Sequence, residues 1–123
     1  MMVVDASAVL EILARTPDGL ELESLLAGKE LHAPHLIDLE VVNVVRRWEL
    51  SGVVSRSGAV AVLEAYRAFR IRRYAHEPLL GYVWKVRGNL TAYDASYLAL
   101  ARALRAELIT MDAALRKVAG RRG

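Results

Sequence analysis

Short apolar runs alternate along the chain with longer segments in which apolar residues recur every three or four positions. The short runs predict β-strands at residues 2–4, 30–33, 69–74 and 107–110. The longer segments predict α-helices at residues 7–13, 20–27, 36–50, 55–67, 76–86, 91–104 and 112–118. Strands that alternate with helices are typical of a parallel sheet with helices on both faces. The pattern therefore predicts a three-layer α/β/α fold with a short parallel central sheet, in one domain over residues 1–123.

The segment over residues 36–50 is apolar on nearly every side. Ile37 and Val41 recur at helical spacing, while Leu39 and Val42 lie on other sides of the same helix. A helix without a polar face is normally buried in the core. We therefore expect this helix to be mostly buried.

Glu40 lies in the middle of this apolar helix. A buried carboxylate is costly without a partner, so it needs a cation, a metal ion or a raised pKa. Asn43 and Arg47 lie along the same side, three and seven residues further on. Glu40 is therefore either part of a functional site or a member of a network within its own helix.

Two other acids follow predicted strands and precede predicted helices. Asp5 comes directly after the first strand, and Asp112 comes directly after the run Leu108-Ile-Thr-Met. In open parallel sheets, ligands bind at the carboxyl ends of the strands. The alternative is that each acid caps the helix that follows it, a position that Asp favours.

Asp94 lies near the start of the most helix-favouring segment of the chain, three residues after Thr91. That spacing is typical of a capping box, with Asp in place of the usual Glu. Strand ends and the starts of the following helices lie on one edge of a parallel sheet with right-handed crossovers. Asp5, Asp94 and Asp112 are therefore predicted to converge, and Glu40, one turn into its helix, lies near the same edge.

Converging carboxylates raise one another's pKa values unless a positive charge lies among them. Mg²⁺ or Mn²⁺ is the expected ion, because oxygen ligands suit it and a substrate phosphate can complete its shell. The four acids therefore predict phosphodiester hydrolysis. A serine hydrolase and a P-loop switch are disfavoured, because neither Gly-x-Ser-x-Gly nor Gly-x-x-x-x-Gly-Lys-Ser/Thr occurs.

Composition narrows the class of protein further. Hydrophobic residues make up 54% of the chain and charged residues 25%, which is typical of a packed globular domain. The chain has no cysteine, which excludes disulfides and thiolate sites and favours the cytoplasm. Its apolar stretches are far shorter than the ~20 residues that cross a bilayer. Asp5 and Glu11 interrupt any signal peptide, so we expect a cytoplasmic protein with no membrane contact.

Charge is distributed unevenly, although the net charge is only +3. Residues 1–40 carry a net −6 and residues 41–123 a net +9. Such asymmetry favours a polyanionic partner such as nucleic acid, the alternative being that the arginines are solvated surface charges. The arginine pairs at residues 46–47 and 72–73 could line an RNA path, and ordinary surface placement explains them equally well.

Four segments together resemble the PIN-domain ribonucleases, and most closely the VapC-type toxins of bacterial toxin–antitoxin pairs. Each segment carries one of the acids, in the family's order: Val3-Val-Asp-Ala-Ser-Ala-Val-Leu, Pro34-His-Leu-Ile-Asp-Leu-Glu-Val-Val-Asn-Val-Val-Arg-Arg, Leu90-Thr-Ala-Tyr-Asp-Ala-Ser-Tyr-Leu-Ala-Leu-Ala and Leu108-Ile-Thr-Met-Asp-Ala-Ala-Leu. The ordered set is specific and covers nearly the whole chain. Such proteins commonly add a strand after the fourth acid, whereas eleven residues follow Asp112 here, so a shorter sheet is expected.

The resemblance implies a metal-dependent endoribonuclease that forms a homodimer and is inhibited by a cognate antitoxin. Under this hypothesis, Asp5, Asp94 and Asp112 hold Mg²⁺ or Mn²⁺ directly or through water. Glu40 positions or deprotonates the attacking water. Attack by water predicts RNA products with a 5′-phosphate and a 3′-hydroxyl.

Three polar residues are candidates for supporting roles. Ser7 and Thr110 carry hydroxyls beside the first and fourth acids and could orient those carboxylates, local capping being the alternative. Asn43 lies one turn beyond Glu40 and could support it. Two other functions stay open: a non-catalytic α/β module that binds nucleic acid, and a solitary RNA-processing nuclease.

Overall fold

The computed structural model describes residues 1–120, which form a four-stranded sheet and surrounding helices. The strands are β1 (Met2–Val4), β2 (Leu31–Pro34), β3 (Ile71–Tyr74) and β4 (Glu107–Ile109). The helices are α1 (Ala6–Leu13), α2 (Pro17–Leu26), α3 (Leu36–Leu50), α4 (Arg56–Arg67), α5 (Leu80–Lys85), α6 (Ala92–Leu104) and α7 (Ala113–Ala119). A 3₁₀ turn at Glu77–Leu79 leads into α5. Over the part of the chain that the structure describes, no strand follows Asp112.

The four strands form one parallel sheet in the order β3-β2-β1-β4. In register, Met2 pairs with Leu31 on one side and with Glu107 on the other. The chain thus builds outward from β1 through β2 to β3, and then places β4 on the opposite side of β1. Ligands bind at such a reversal of strand order, outside the carboxyl ends of the strands. In this sheet the reversal lies between β1 and β4.

The core contains side chains from both faces of the sheet. Val3 and Val4 are fully buried, and consecutive strand residues project to opposite faces. α6 packs on β1, β2 and β4, while α1 packs with α2, α3 and α4. The predicted three-layer α/β/α fold with a short parallel sheet is confirmed. No helix within residues 1–120 is long and apolar enough to cross a membrane.

The prediction that the helix over residues 36–50 is mostly buried is wrong. Only Ile37, Val41 and Val45 of α3 are buried, whereas Leu39 and Val42 are 71% and 45% exposed. The buried residues recur every four positions, so a single stripe of the helix faces the core. The helices that pack beside α3 leave its other sides uncovered. α3 therefore presents apolar side chains to solvent.

α2 begins three residues earlier than its apolar pattern predicts. The Thr16 hydroxyl caps the helix by accepting a hydrogen bond from the Gly19 N–H at 3.0 Å, and Pro17 takes the first helical position. Gly19 lies so close to α1 that a Cβ there would be 2.1 Å from the carbonyl oxygen of Glu11. The absence of a side chain at Gly19 therefore allows α1 and α2 to pack closely.

Candidate active site

Asp5 connects the ends of β1 and β4. It is the N-terminal cap of α1, where its Oδ1 accepts a hydrogen bond from the Ala8 N–H at 3.0 Å. The Ser7 hydroxyl donates to the same oxygen at 2.7 Å, and the Thr110 hydroxyl donates to Oδ2 at 2.5 Å. Asp5 is only 4% exposed. Hydrogen bonds from two separate chain segments therefore fix both of its carboxylate oxygens.

Asp112 lies beside Asp5, at the start of α7. Its Oδ1 caps that helix by accepting a hydrogen bond from the N–H three residues on, at 2.8 Å. The Asp112 N–H donates to the Thr110 hydroxyl at 2.9 Å, and the Met111 N–H donates to the Ser7 hydroxyl at 2.9 Å. Each hydroxyl thus accepts from the backbone around Asp112 and donates to the Asp5 carboxylate. Local capping accounts for only part of this arrangement, because the Thr110 to Asp5 and Met111 to Ser7 hydrogen bonds join segments more than 100 residues apart.

Asp94 lies in the first turn of α6. Its N–H donates to the Oγ1 of the capping residue Thr91 at 3.2 Å. Within residues 1–120, no group donates a hydrogen bond to the Asp94 carboxylate, which is partly exposed. Asp94 therefore differs from Asp5 and Asp112, because none of its carboxylate oxygens is occupied by a helix cap.

Glu40 takes its hydrogen-bond partner from α6. The Tyr97 hydroxyl donates to Glu40 Oε1 at 2.5 Å. Among the described residues, no hydrogen bond or ion pair joins Glu40 to Asn43 or Arg47. The partner therefore lies on another element rather than within α3. Sequence reasoning missed Tyr97, although its position one helical turn beyond Asp94 puts the two on one face of α6.

The four acids line one cavity of about 340 Å³ at the carboxyl edge of the sheet, called the acidic cavity below. Its lining comprises Asp5, Ala6, Ser7, Leu10, Glu40, Asn43, Val44, Arg47, Asp94, Tyr97 and Asp112. Thr110 reaches the site through its hydrogen bond to Asp5. A larger cavity, of about 540 Å³, lies between α3 and α4, but none of the four acids lines it.

Burial and mutual repulsion raise the pKa values of three of these acids above their usual range. Burial is the main cause for Asp5, where it outweighs the hydrogen bonds to the carboxylate, and the charge of Asp112 adds to the rise. Burial also raises the pKa of Glu40, against the lowering effect of its hydrogen bond, with further contributions from Asp94 and Asp5. Burial, followed by the charges of Asp112 and Asp5, raises the pKa of Asp94. The acids therefore lie within electrostatic reach of one another.

The donor set suits a hard divalent cation held partly through water. Within residues 1–120, none of the four acids forms an ion pair with a lysine or arginine, so their charge is not neutralised by the protein. No three acidic or histidine side chains of the described chain lie close enough to hold one ion together. Mg²⁺ keeps several of its waters and usually takes only one or two protein carboxylates directly. The cavity therefore fits an ion with a largely aqueous shell better than a fully protein-bound one.

Comparisons with known proteins show which family the sequence matches. The family model described as the PIN domain matches residues 2–121. The chain is 42% identical to ribonuclease VapC1 of Mycobacterium tuberculosis over 120 residues, which cover 96% of this chain and 90% of that one. It is 40% identical to VapC ribonuclease Mb0985 of Mycobacterium bovis over 112 residues, covering 91% and 86% of the two chains.

Two solved structures share the fold. VapC20 of Mycobacterium tuberculosis, described as a sarcin-ricin loop cleaving toxin, superimposes with a TM-score of 0.72 at 16% identity, over 96% of this chain and 95% of that one. PAE2754 from Pyrobaculum aerophilum also gives a TM-score of 0.72, at 26% identity, over 93% of this chain and 76% of that one. The overall arrangement of strands and helices is thus common to this chain and to both structures.

Proposed function

We propose that this chain, which belongs to the PIN-domain family, is a metal-dependent endoribonuclease and the toxin of a VapBC-type toxin–antitoxin pair. The alignments cover 86% and 90% of the relatives named as VapC ribonucleases. This coverage supports the same ribonuclease activity for this chain. Its substrate is RNA, and its second partner is a cognate antitoxin protein.

One observation carries this proposal. Four carboxylates from separate parts of the sequence, Asp5, Glu40, Asp94 and Asp112, line a single cavity beside the reversal of strand order. Helix capping explains Asp5 and Asp112 individually, but it does not require either of them to meet Asp94 and Glu40. Assembling unpaired charges in a partly buried cavity destabilises the fold, so the cluster is best explained by a function that uses a cation.

Each acid has a distinct role in the proposed reaction. Asp5, Asp94 and Asp112 would hold Mg²⁺ or Mn²⁺, directly or through water. The bound ion would polarise the scissile phosphate and stabilise charge on the attacking and leaving oxygens. Glu40 orients the attacking water or takes its proton, and the Tyr97 hydroxyl holds the Glu40 carboxylate in place.

The remaining polar residues act through these acids. Ser7 and Thr110 orient the Asp5 carboxylate by hydrogen bonds to its two oxygens. Asn43 lines the same cavity one turn beyond Glu40 and is available to a substrate or a bound water. Because water is the nucleophile, the products carry a 5′-phosphate and a 3′-hydroxyl. Discrimination against DNA then depends on how the strand fits the cavity.

We also propose that the protein forms a homodimer. Several large apolar side chains are exposed on α3 and α5, namely Leu39, Val42, Leu80 and Trp84. Large apolar side chains that are exposed in the single chain would be buried if a second copy covered them. Size-exclusion chromatography with light scattering tests this proposal, and a monomer at micromolar concentration would contradict it.

The decisive experiment is sequencing of the RNA ends produced from total RNA with Mg²⁺ or Mn²⁺. We expect the wild type to generate new 5′-phosphate ends at defined positions, and Asp94→Asn to generate none. Asp18→Asn is the matched control, because Asp18 also lies in the first turn of a helix but is exposed and outside the cavity. Its cleavage pattern should equal that of the wild type.

Two results would contradict the proposal. Cleavage that persists in Asp94→Asn would show that the acidic cavity is not the active site. RNA binding by a folded wild type without any cleavage would favour a non-catalytic binding module.

The antitoxin partner is tested by co-expressing the product of an adjacent upstream reading frame. That product should form a stable complex with this chain and abolish cleavage. The absence of such a reading frame would favour a solitary RNA-processing nuclease.

A further inference from the structure

Arg47 lies on the same stripe of α3 as Glu40. Residues three, four and seven positions apart share one side of a helix, so Asn43, Val44 and Arg47 follow Glu40 along that side. All four line the acidic cavity. Among the described residues of that lining, Arg47 is the only cation. It is exposed, as expected for a side chain at the solvent end of the stripe.

The sequence offered the arginine pairs at residues 46–47 and 72–73 as equal candidates for an RNA path, and the structure distinguishes Arg47 from the other three. Arg73 is committed to Asp38, whose carboxylate accepts two hydrogen bonds from Nε at 2.9 Å. Arg72 lies on strand β3 with its guanidinium 5.4 Å from the centre of the Tyr74 ring. Arg46 is exposed but does not line the cavity. Of these four side chains, only Arg47 is placed at the acidic site.

The guanidinium of Arg47 is available to a ligand. No carboxylate in the described part of the chain lies within 4.0 Å of it, although four acids share its cavity. The geometry therefore gives no evidence that Arg47 serves as a counter-ion for the acids. Its planar group presents donors that suit the paired oxygens of a phosphate.

A polyanionic substrate faces a difficulty at this cavity, because the lining acids repel phosphate. A cation at the solvent-exposed rim of the cavity would offset that repulsion where the RNA strand enters. The acids are needed deeper in the cavity, where they would hold the metal ion. We propose that Arg47 binds a phosphate of the RNA strand at the rim of the cavity, next to the bond that is cut. This inference rests on the proposed function, since it assigns a substrate contact to the same site.

The test measures RNA binding in an Asp94→Asn background, in which the strand stays intact. The probe is a fluorescein-labelled single-stranded RNA of mixed sequence, titrated at constant Mg²⁺ and several salt concentrations. The variants are Arg47→Ala, Arg47→Lys and the control Arg46→Ala, which removes the same charge from the same helix outside the cavity. Circular dichroism melts check that each variant is folded, which we expect because both arginines are exposed.

We expect Arg47→Ala to weaken binding at least about tenfold, as for loss of a charge-assisted hydrogen bond. The slope of log Kd against log salt should fall by about 0.7, the value for one phosphate contact to a single strand. Arg47→Lys should recover the slope but only part of the affinity, because lysine keeps the charge and loses the two-pronged geometry. Arg46→Ala should change affinity less than about twofold.

Equal effects of Arg47→Ala and Arg46→Ala would overturn the inference, since both would then reflect general surface charge. Unchanged RNA affinity in Arg47→Ala would also overturn it. If Arg47→Ala in the Asp94-containing chain then binds Mn²⁺ more tightly than the wild type, Arg47 acts as a counter-ion for the acids. Cleavage by the Asp94-containing chain is measured in parallel. If that chain cleaves RNA and Arg47→Ala keeps its KM, the inference alone fails, whereas no cleavage by the wild type contradicts the proposed function itself.

Discussion

Asp5 and Asp112 each serve a helix and the acidic cavity at the same time. One oxygen of each carboxylate caps a helix, at 3.0 Å for Asp5 and 2.8 Å for Asp112. Capping and a functional role are therefore not alternatives at these positions, because the cap fixes the direction in which the rest of the carboxylate projects. Asp94 has no such local bond to its carboxylate among the described residues. The dipole of α6 favours a negative charge in its first turn, but it does not require that charge to face the other three acids.

Neutralising Asp94 should stabilise the metal-free protein while it abolishes cleavage. Its pKa in the folded chain is raised above the usual 3.8 by burial and by Asp112 and Asp5. The folded state therefore holds this proton more tightly than the unfolded state, and the free energy of unfolding falls as the pH rises through 3.8 to the raised value. We expect Asp94→Asn to gain stability over the wild type at pH 7.5 and to lose that gain at pH 3, where both side chains are neutral.

Urea unfolding in EDTA at the two pH values measures this effect. The control is Asp18→Asn, an exposed first-turn acid, which should not gain stability at pH 7.5 because it loses a favourable interaction with the helix dipole. A lower stability of Asp94→Asn at pH 7.5 would show that the Asp94 charge is compensated within the fold.

Tyr97 is expected to act as a positioning residue for Glu40. In Tyr97→Phe the hydroxyl that donates to Glu40 Oε1 is lost, while the buried ring is kept. We expect kcat to fall about tenfold, equivalent to ~1.4 kcal/mol of transition-state stabilisation, with KM nearly unchanged. Steady-state cleavage of a labelled RNA measures both constants. Tyr93→Phe, which alters an exposed tyrosine of the same helix, is the control, and an equal kcat in the two variants would rule the role out.

At the level of elements, the contact between α1 and α2 depends on one glycine. A Cβ at Gly19 would lie 2.1 Å from the Glu11 carbonyl oxygen, so Gly19→Ala must push the two helices apart. We expect a loss of ~1–3 kcal/mol in the free energy of unfolding. Gly81→Ala in α5 is the matched control, because nothing lies within 4 Å of the added Cβ. That change should stabilise by ~0.5–1 kcal/mol through helix propensity, as thermal or urea unfolding can measure. Equal effects of the two substitutions would contradict the close packing at Gly19.

The elements could be predicted from the sequence because their signals are local. The acids after β1 and β4 mark strand ends within a few neighbouring residues. The apolar pattern predicts the start of α2 three residues late, because it does not include the local signal of Thr16 and Pro17. The exposure of Leu39 could not be predicted in this way, because it depends on which helices pack against α3. The Glu40 to Tyr97 hydrogen bond joins residues 57 positions apart, and no local pattern encodes such a contact.

At the level of the whole molecule, the parallel sheet converts separate local signals into one site. Each strand-to-helix connection returns to the same edge, so acids that are distant in sequence meet where the strand order reverses. The same topology explains why sequence analysis could predict the convergence of the acids but not their spacing. Convergence follows from connectivity, whereas the distances depend on side-chain packing around Asp5 and Tyr97.

If the cavity holds a divalent cation, Mn²⁺ should stabilise the whole fold. An ion that binds only the folded state adds about 2.7 kcal/mol at a concentration 100 times its Kd. The effect should be larger at pH 7.5 than at pH 5, because protons compete for Asp5, Glu40 and Asp94, whose pKa values are raised. Differential scanning fluorimetry with MnCl₂ against NaCl of equal ionic strength measures the shift in Tm. Asp18→Asn should respond like the wild type and Asp94→Asn much less, whereas an equal shift in both variants would place the ion outside the acidic cavity.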